Sequence, residues 1–209
     1  MTIESLPVLL TQPQFANAPN MTGARTTSYV AAGQAPRVAA YHGKTPLHSL
    51  GSEFLLRRRQ EIDDFEDFFN TQAGQWAPFW IPSWAAELNP LADALTGSTS
   101  LSITPVNYAT VFDPSNSETN RLGHYIFLLN IYGQMNITKV DSVSGTSPEV
   151  LALQTAVAND MALGTFIVGF LYQVRFAQDT LVLDYTGPTE ATAKVGVLEV
   201  AKLQTVSDA

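Results

Sequence analysis

Residues 53–84 read EFLLRRRQEIDDFEDFFNTQAGQWAPFWIPSW, and three kinds of patterning follow one another within them. Glu53–Arg59 alternates: Phe54 and Leu56 face one way and Leu55 the other, which is the period of a strand. Over Gln60–Gln72 the period changes, because Ile62, Phe65 and Phe69 recur at helical spacing with Phe68 beside them. Glu61, Asp63, Asp64, Glu66 and Asp67 fill the positions between, early in the helix where its dipole favours negative charge. Gly74 stands where a helix C-terminus wants a residue tolerant of positive φ. Beyond it, Pro78 and Pro82 fix φ and impose an extended path on a segment rich in rings. Phe68, Phe69, Trp76, Phe79, Trp80 and Trp84 are too much apolar surface to leave in water. Trp76, Phe79 and Trp80 are expected to pack on the Phe65/Phe69 face and on the β-rich remainder, or on a neighbouring subunit. Trp84–Thr96 then connects the halves of the chain.

Downstream, from Gly97, strand-like runs alternate with turn residues. The runs are Thr99–Thr104, His124–Asn130, Met135–Val143, Val150–Leu153, Thr165–Ala177, Thr180–Tyr185 and Ala191–Val200. Turn signals between them include Tyr132–Gly133, Ser144–Gly145, Gln178–Asp179 and Thr186–Gly187–Pro188. Upstream, residues 5–52 contain no acidic residue; Arg25, Arg37 and Lys44 are their only full charges, and five prolines punctuate them. Thr26–Ala32 and Arg37–Tyr41 read as short strands. A flexible tail is one reading of this segment. The other is an extended arm lying on a neighbouring subunit, which its low charge favours. The resulting expectation is a mainly β protein with one prominent α-helix, built as β-sandwich or small-barrel domains. Its divisions are an extended Pro-rich arm (1–50), a strand, helix, aromatic strap and linker (51–96), and a β-rich domain (97–209).

The totals bound the function. The 209 residues carry 11 basic and 19 acidic side chains, a formal charge of −8, which argues against a nucleic-acid or anionic-membrane binder. Charged residues make up 14%, against about 25% in ordinary soluble domains. Such a deficit suits a surface covered by partners, because charge is depleted at interface centres. With no cysteine, disulfides and thiolate metal sites are excluded. No basic, apolar leader opens the sequence, and no apolar run approaches the length of a spanning helix, so a protein made in the cytoplasm without membrane insertion is expected.

Catalytic patterns are absent. His42 and His48 flank a turn and His124 stands apart, with no His-Glu-x-x-His spacing. No nucleophile elbow or phosphate-cradling loop occurs. The acids of the helix run consecutively along one element rather than converging, which is how a solvated face reads. A calcium loop or a glycosidase pair needs more than that. The basic cluster Arg57, Arg58 and Arg59 is placed to pair with Asp63, Asp64 or Asp67, on its own helix or on a neighbour's. The rings Trp76, Phe79, Trp80 and Trp84 could also form a sugar-stacking platform, so a carbohydrate-binding β-module for host-surface attachment is the alternative function. No cofactor is expected.

The order strand, acidic helix ending in Phe-Phe, glycine, then Phe-Trp-x-Pro-Ser-Trp resembles a family of phage tail proteins near the tail tip or baseplate. These are the distal-tail or hub-adaptor kind, also seen in gene transfer agents. Phe170–Val200 is similar to the closing part of the same proteins: an Arg-Phe/Leu-x-x-Asp-x-Leu hairpin, a polar turn and a last strand ending Val-Glu-hydrophobic. Here those positions are Arg175, Phe176, Asp179, Leu181 and Glu199. The resemblance covers about half the chain and rests on pattern. It implies a virion structural protein without enzymatic activity. The implied form is a homo-oligomeric ring, six-fold first and three-fold next, docking tube, hub and tip proteins. Phe65, Phe69, Trp76, Phe79, Trp80 and Trp84 would be its packing and assembly residues.

Overall fold

The computed structural model describes residues 1–13, 20–24, 27–30, 38–41, 47–108 and 125–200. In chain order the elements are β1 (Thr2–Ile3), β2 (Leu6–Pro7), β3 (Asn20–Ala24), β4 (Thr27–Val30), β5 (Val38–Tyr41), β6 (Leu47–Leu56), α1 (Arg59–Thr71), β7 (Phe79–Pro82), β8 (Ser100–Ile103), β9 (Tyr125–Asn130), β10 (Met135–Ser144), β11 (Glu149–Leu153), β12 (Phe166–Phe176), β13 (Leu183–Tyr185) and β14 (Ala191–Glu199). The protein is mainly β with one α-helix among the described residues, as the alternation predicts. The predicted helix is displaced by a single residue from α1. His42 and His124 lie outside the described residues, and His48 lies in β6.

The chain divides into two compact units, one of Met1–Phe79 with Gln173–Ala209 and one of Trp80–Tyr172. This corrects the expected division at 50 and 96. The cause is a long-range pairing: β14 returns to β6 in antiparallel register from Ala191↔Leu56 to Leu198↔Ser49. A boundary drawn on local composition cannot see that return.

In the first unit, β14 also receives the end of β12 (Val174↔Glu199 to Phe176↔Val197) and the short β13 (Leu183↔Ala193 to Tyr185↔Ala191). Ala191, Ala193, Val195 and Val197 are buried on alternate positions of β14, and Leu50, Phe54 and Leu56 on alternate positions of β6. That is the period-two signature of a sheet with one covered face. The covering element is α1, whose Phe65 meets Phe54 with ring centroids 5.2 Å apart. Phe176 is fully buried among the same rings, 4.7 Å from Phe69 and 4.6 Å from Phe79. Phe68 stands edge-on to Phe79 at 5.3 Å. Phe65, Phe69 and Phe79 thus pack as expected.

The described parts of the first fifty residues correct the reading of an arm laid on a neighbour. β3 pairs with β6 from Asn20↔Gly51 to Ala24↔Leu47. β1 and β2 form a small hairpin, and Ile3, Val8 and Leu9 are buried within the chain. β4 and β5 form their own two-stranded sheet, Thr27↔Tyr41 to Val30↔Val38, close to the strands read from sequence.

In the second unit, β9 is central, with β10 on one side (Met135↔Leu129 to Lys139↔Tyr125) and β12 on the other (Phe166↔Asn130 to Phe170↔Ile126). Ile126, Phe127, Leu128 and Leu129 are buried in succession, so both faces of β9 are covered. β10 bends at a bulge between Val140 and Ser142 and pairs onward with β11, which pairs with β8. Trp84–Thr96, expected as a linker, is instead woven into this unit. Ser83 donates its N–H to the Phe170 carbonyl, Glu87 and Leu88 to Val168, and Leu91 to Ser102. These bonds cover exposed backbone along β12 and β8, which would otherwise offer a pairing template. Gly169 permits the approach: a Cβ there would collide with the Ala85 carbonyl oxygen and the Phe127 ring.

Candidate functional site

The helix α1 starts without a side-chain cap at Arg58, but Glu61 reaches back and accepts the N–H of Arg57, the residue before the N-cap, at 2.8 Å. Arg59 pairs with Asp63 at 3.0 Å across one turn, and Arg58 lies 3.9 Å from Glu61. The neighbouring Asp63 carboxylate raises the Arg59 guanidinium above its ordinary range. The arginine cluster is therefore engaged, in part, with its own helix. Asp64 and Asp67 are exposed. Such exposed pairs are screened by solvent and add little to stability.

After α1 the chain makes a tightly constrained turn. Ala73 and Gly74 both adopt positive φ, 49° and 60°. Ala73 donates its N–H to Asn70 O at 3.0 Å, Ala77 to Gln72 O at 3.0 Å, and Trp76 to Ala73 O at 3.3 Å. The Gln75 N–H is held by Asp179 Oδ1 at 2.9 Å. A Cβ on Gly74 would lie 2.6 Å from that oxygen and 2.9 Å from the Asp179 Cα, so only glycine allows the two segments to meet. This turn lifts the Trp76 side chain out of the fold, and the residue is 87% exposed. The expectation that Trp76 packs on the Phe65/Phe69 face within the chain is corrected: the double left-handed turn points it away.

Four residues on, Trp80 lies in β7, where Phe79, Trp80, Ile81 and Pro82 are all buried. Its ring meets Tyr125 at 5.1 Å. Trp84 is buried too, at φ 57°, with its ring 6.1 Å from Phe127. Of the four rings considered for sugar stacking, Phe79, Trp80 and Trp84 are thus unavailable, and only Trp76 is presented.

A second exposed apolar turn lies at the tip of β9 and β10, and the sequence reading passed over it as turn punctuation. Ile131 and Tyr132 are 70% and 80% exposed at the central positions of the turn Asn130–Gly133. The turn is held from inside. The buried Asn130 side chain accepts the N–H groups of Tyr132 and Gln134 at 3.0 Å each, and donates to Gln134 Oε1 at 2.9 Å. Ile131 donates its N–H to Thr165 O at 2.9 Å, which sets the tip beside the turn Ala162–Thr165 carrying the exposed Leu163. The Leu163 N–H in turn bonds Asp93 Oδ1 at 2.7 Å, next to the exposed Leu95. Large apolar residues at two adjoining turn tips, where turns ordinarily carry Gly, Asn or Asp, were the available signal.

Three further carboxylates do structural duty in the same unit. Glu87 accepts from Ser83 Oγ and Phe170 N–H, both at 2.7 Å to one oxygen, and from the Tyr172 hydroxyl at 3.0 Å. Glu149, buried, takes the N–H groups of Val106 and Tyr108. Burial pushes the Tyr108 phenol well above its ordinary range. Asp160 accepts the Thr96 N–H at 2.7 Å, which lowers its carboxyl below the usual range. Each carboxylate anchors backbone, and among the described residues no group of three or more His, Asp or Glu is placed to hold a metal. No protein-family model matches this chain, and no curated protein matches it.

Proposed function

We propose that this protein is a structural component of a phage tail, a homo-oligomeric ring or adaptor near the tip or baseplate that docks other tail proteins. The observation that carries the reading is the solvent presentation of Trp76 on a backbone fixed at every residue from Gln72 to Ala77. Burying a side chain of that size stabilises by about 3 kcal/mol. A fold that spends a non-glycine residue at positive φ to keep it out, at about 1 kcal/mol, is prepared for a partner. The 14% charged content supports the same reading, since obligate interfaces are poor in charge. The phage-tail assignment itself comes from the resemblance of Glu53–Trp84 and Phe170–Val200. The turn from β13 into the last strand β14 fits the polar turn and final strand that the resemblance implies, whereas Arg175–Leu181, the hairpin it implies, joins β12 to β13, which pair with β14 and not with each other.

The test is light scattering behind size exclusion, followed by electron microscopy of the peak. A ring of copies, six-fold or three-fold, is the expected result. A monomer at every concentration would remove the ring reading. In that case the single exposed tryptophan would be tested instead for quenching by oligosaccharides, the alternative of a carbohydrate-binding module.

A further inference from the structure

The turn after α1 displays a charge as well as a ring. Asp179 is exposed and accepts the Gln75 N–H through Oδ1, and among the described residues no cation pairs with its carboxylate. The carboxylate is thus tied to the backbone of the residue before Trp76, whose indole is 87% exposed. A carboxylate and an indole held together are the groups that receive a cation. The ring face attracts positive charge through its quadrupole, and a guanidinium both stacks on the ring and bonds the carboxylate. No described cation stands over Trp76. We propose that Trp76 and Asp179 of one copy receive the Arg57 guanidinium of the next; this assignment rests on the oligomeric reading above.

Charge complementarity singles out Arg57. Each chain carries −8, so copies repel unless opposite local charges meet. Of the described lysines and arginines, Arg58 and Arg59 lie against Glu61 and Asp63, Lys194 against Asp184, and Lys139 over the Tyr125 ring. Arg175 stands beside the exposed Leu198 across from it on β14, on the face of the sheet away from Phe176 and so away from α1. This leaves Arg57, exposed, with neither a carboxylate nor a ring at its guanidinium among the described residues. Its backbone N–H is held by Glu61, so its place is fixed as that of Trp76 is. The two features also stand at opposite ends of α1, whose 13 residues span about 20 Å. That is too far for one copy to close the contact on itself. One end meeting the other is a head-to-tail contact, the kind that closes into rings.

Two conservative variants test the contact. Asp179→Asn removes the charge and keeps an oxygen for the Gln75 N–H; Arg57→Gln removes the guanidinium and keeps the backbone N–H that Glu61 holds. Each is expected to lower the association constant read by light scattering about threefold to tenfold, and the double variant little further, because both break one contact. A second measurement needs no assembly. At a concentration where the protein is monomeric, N-acetylarginine amide is expected to shift the Trp76 indole N–H resonance saturably, and more weakly in Asp179→Asn. N-acetylcitrulline amide, of the same shape but uncharged, should leave that resonance in place. Wild-type association by either single variant overturns the docking. So do fully additive losses in the double variant, and so do equal shifts from the two amides. In these three cases the oligomeric reading survives. A sample monomeric at all concentrations overturns that reading and the docking together, even where the arginine amide shifts the indole.

Discussion

Trp76 and Trp80 stand four residues apart in one aromatic segment and meet opposite fates: Trp76 is 87% exposed and Trp80 only 6%. Composition does not separate them, since both sit among small residues, prolines and other rings. Backbone does. Trp80 lies in a strand whose four residues are all buried. Trp76 lies on a turn where Ala73 and Gly74 reverse the chain after α1 and Asp179 pins Gln75. The lesson is that an aromatic cluster in sequence is two things at once, a core component and a displayed group, divided by turn geometry.

Substitutions can break or sharpen that contrast. The largest effect is expected at Trp80→Ala, about 3–5 kcal/mol lost in chemical denaturation, as for other buried tryptophans. Near-wild-type stability there would erase the distinction from Trp76. Gly74→Ala is expected to cost about 1–3 kcal/mol through backbone strain and the close approach to Asp179; it should also raise the mobility of Trp76, read as a fall in its fluorescence anisotropy. Asn130→Ala strips the acceptor from two N–H groups under the Tyr132 tip, and about 1–3 kcal/mol is expected there. In that variant, proteolysis should begin at the turn.

A smaller effect is expected at Asp160. Its carboxyl is held below the ordinary range by the Thr96 N–H, so the bond stabilises above the unfolded-state pKa and is lost as pH falls through the folded one. Asp160→Asn should therefore be slightly less stable than wild type at neutral pH, with the two converging in acid. A gap that widened on acidification would contradict this assignment. Smallest of all, Trp76→Ala should change the stability of the isolated chain by no more than about 0.5 kcal/mol.

Local patterns were readable where they were periodic or formed apolar runs bounded by turn residues. α1 and β8 to β12 fall within a few residues of their predicted spans: burial follows helical spacing in α1 and alternates in β8, β11 and the first part of β10, while β9 and β12 are nearly continuous buried runs. β14 too was visible as an element, but its pairing with β6 was not, since register between segments so far apart leaves no mark in either. The same is true of β3, where the sequence offered only an uncharged, proline-rich stretch. Of the named packing residues, Phe65, Phe69, Phe79, Trp80 and Trp84 are buried, while Trp76 needed knowledge of a non-glycine residue at positive φ, which propensity does not supply. Tyr132–Gly133 reads as a turn marker, but the informative fact at Ile131 and Tyr132 is their size at such a position.

The central claim is that the displayed indole is covered when copies meet. Of the three tryptophans only Trp76 is open to solvent in the single chain, so acrylamide quenching across a dilution series reads it directly. At low concentration one accessible emitter is predicted, and as light scattering reports assembly that emitter should become protected and shift to shorter wavelength. An assembled particle in which the same emitter stays as quenchable as in the monomer would contradict the account.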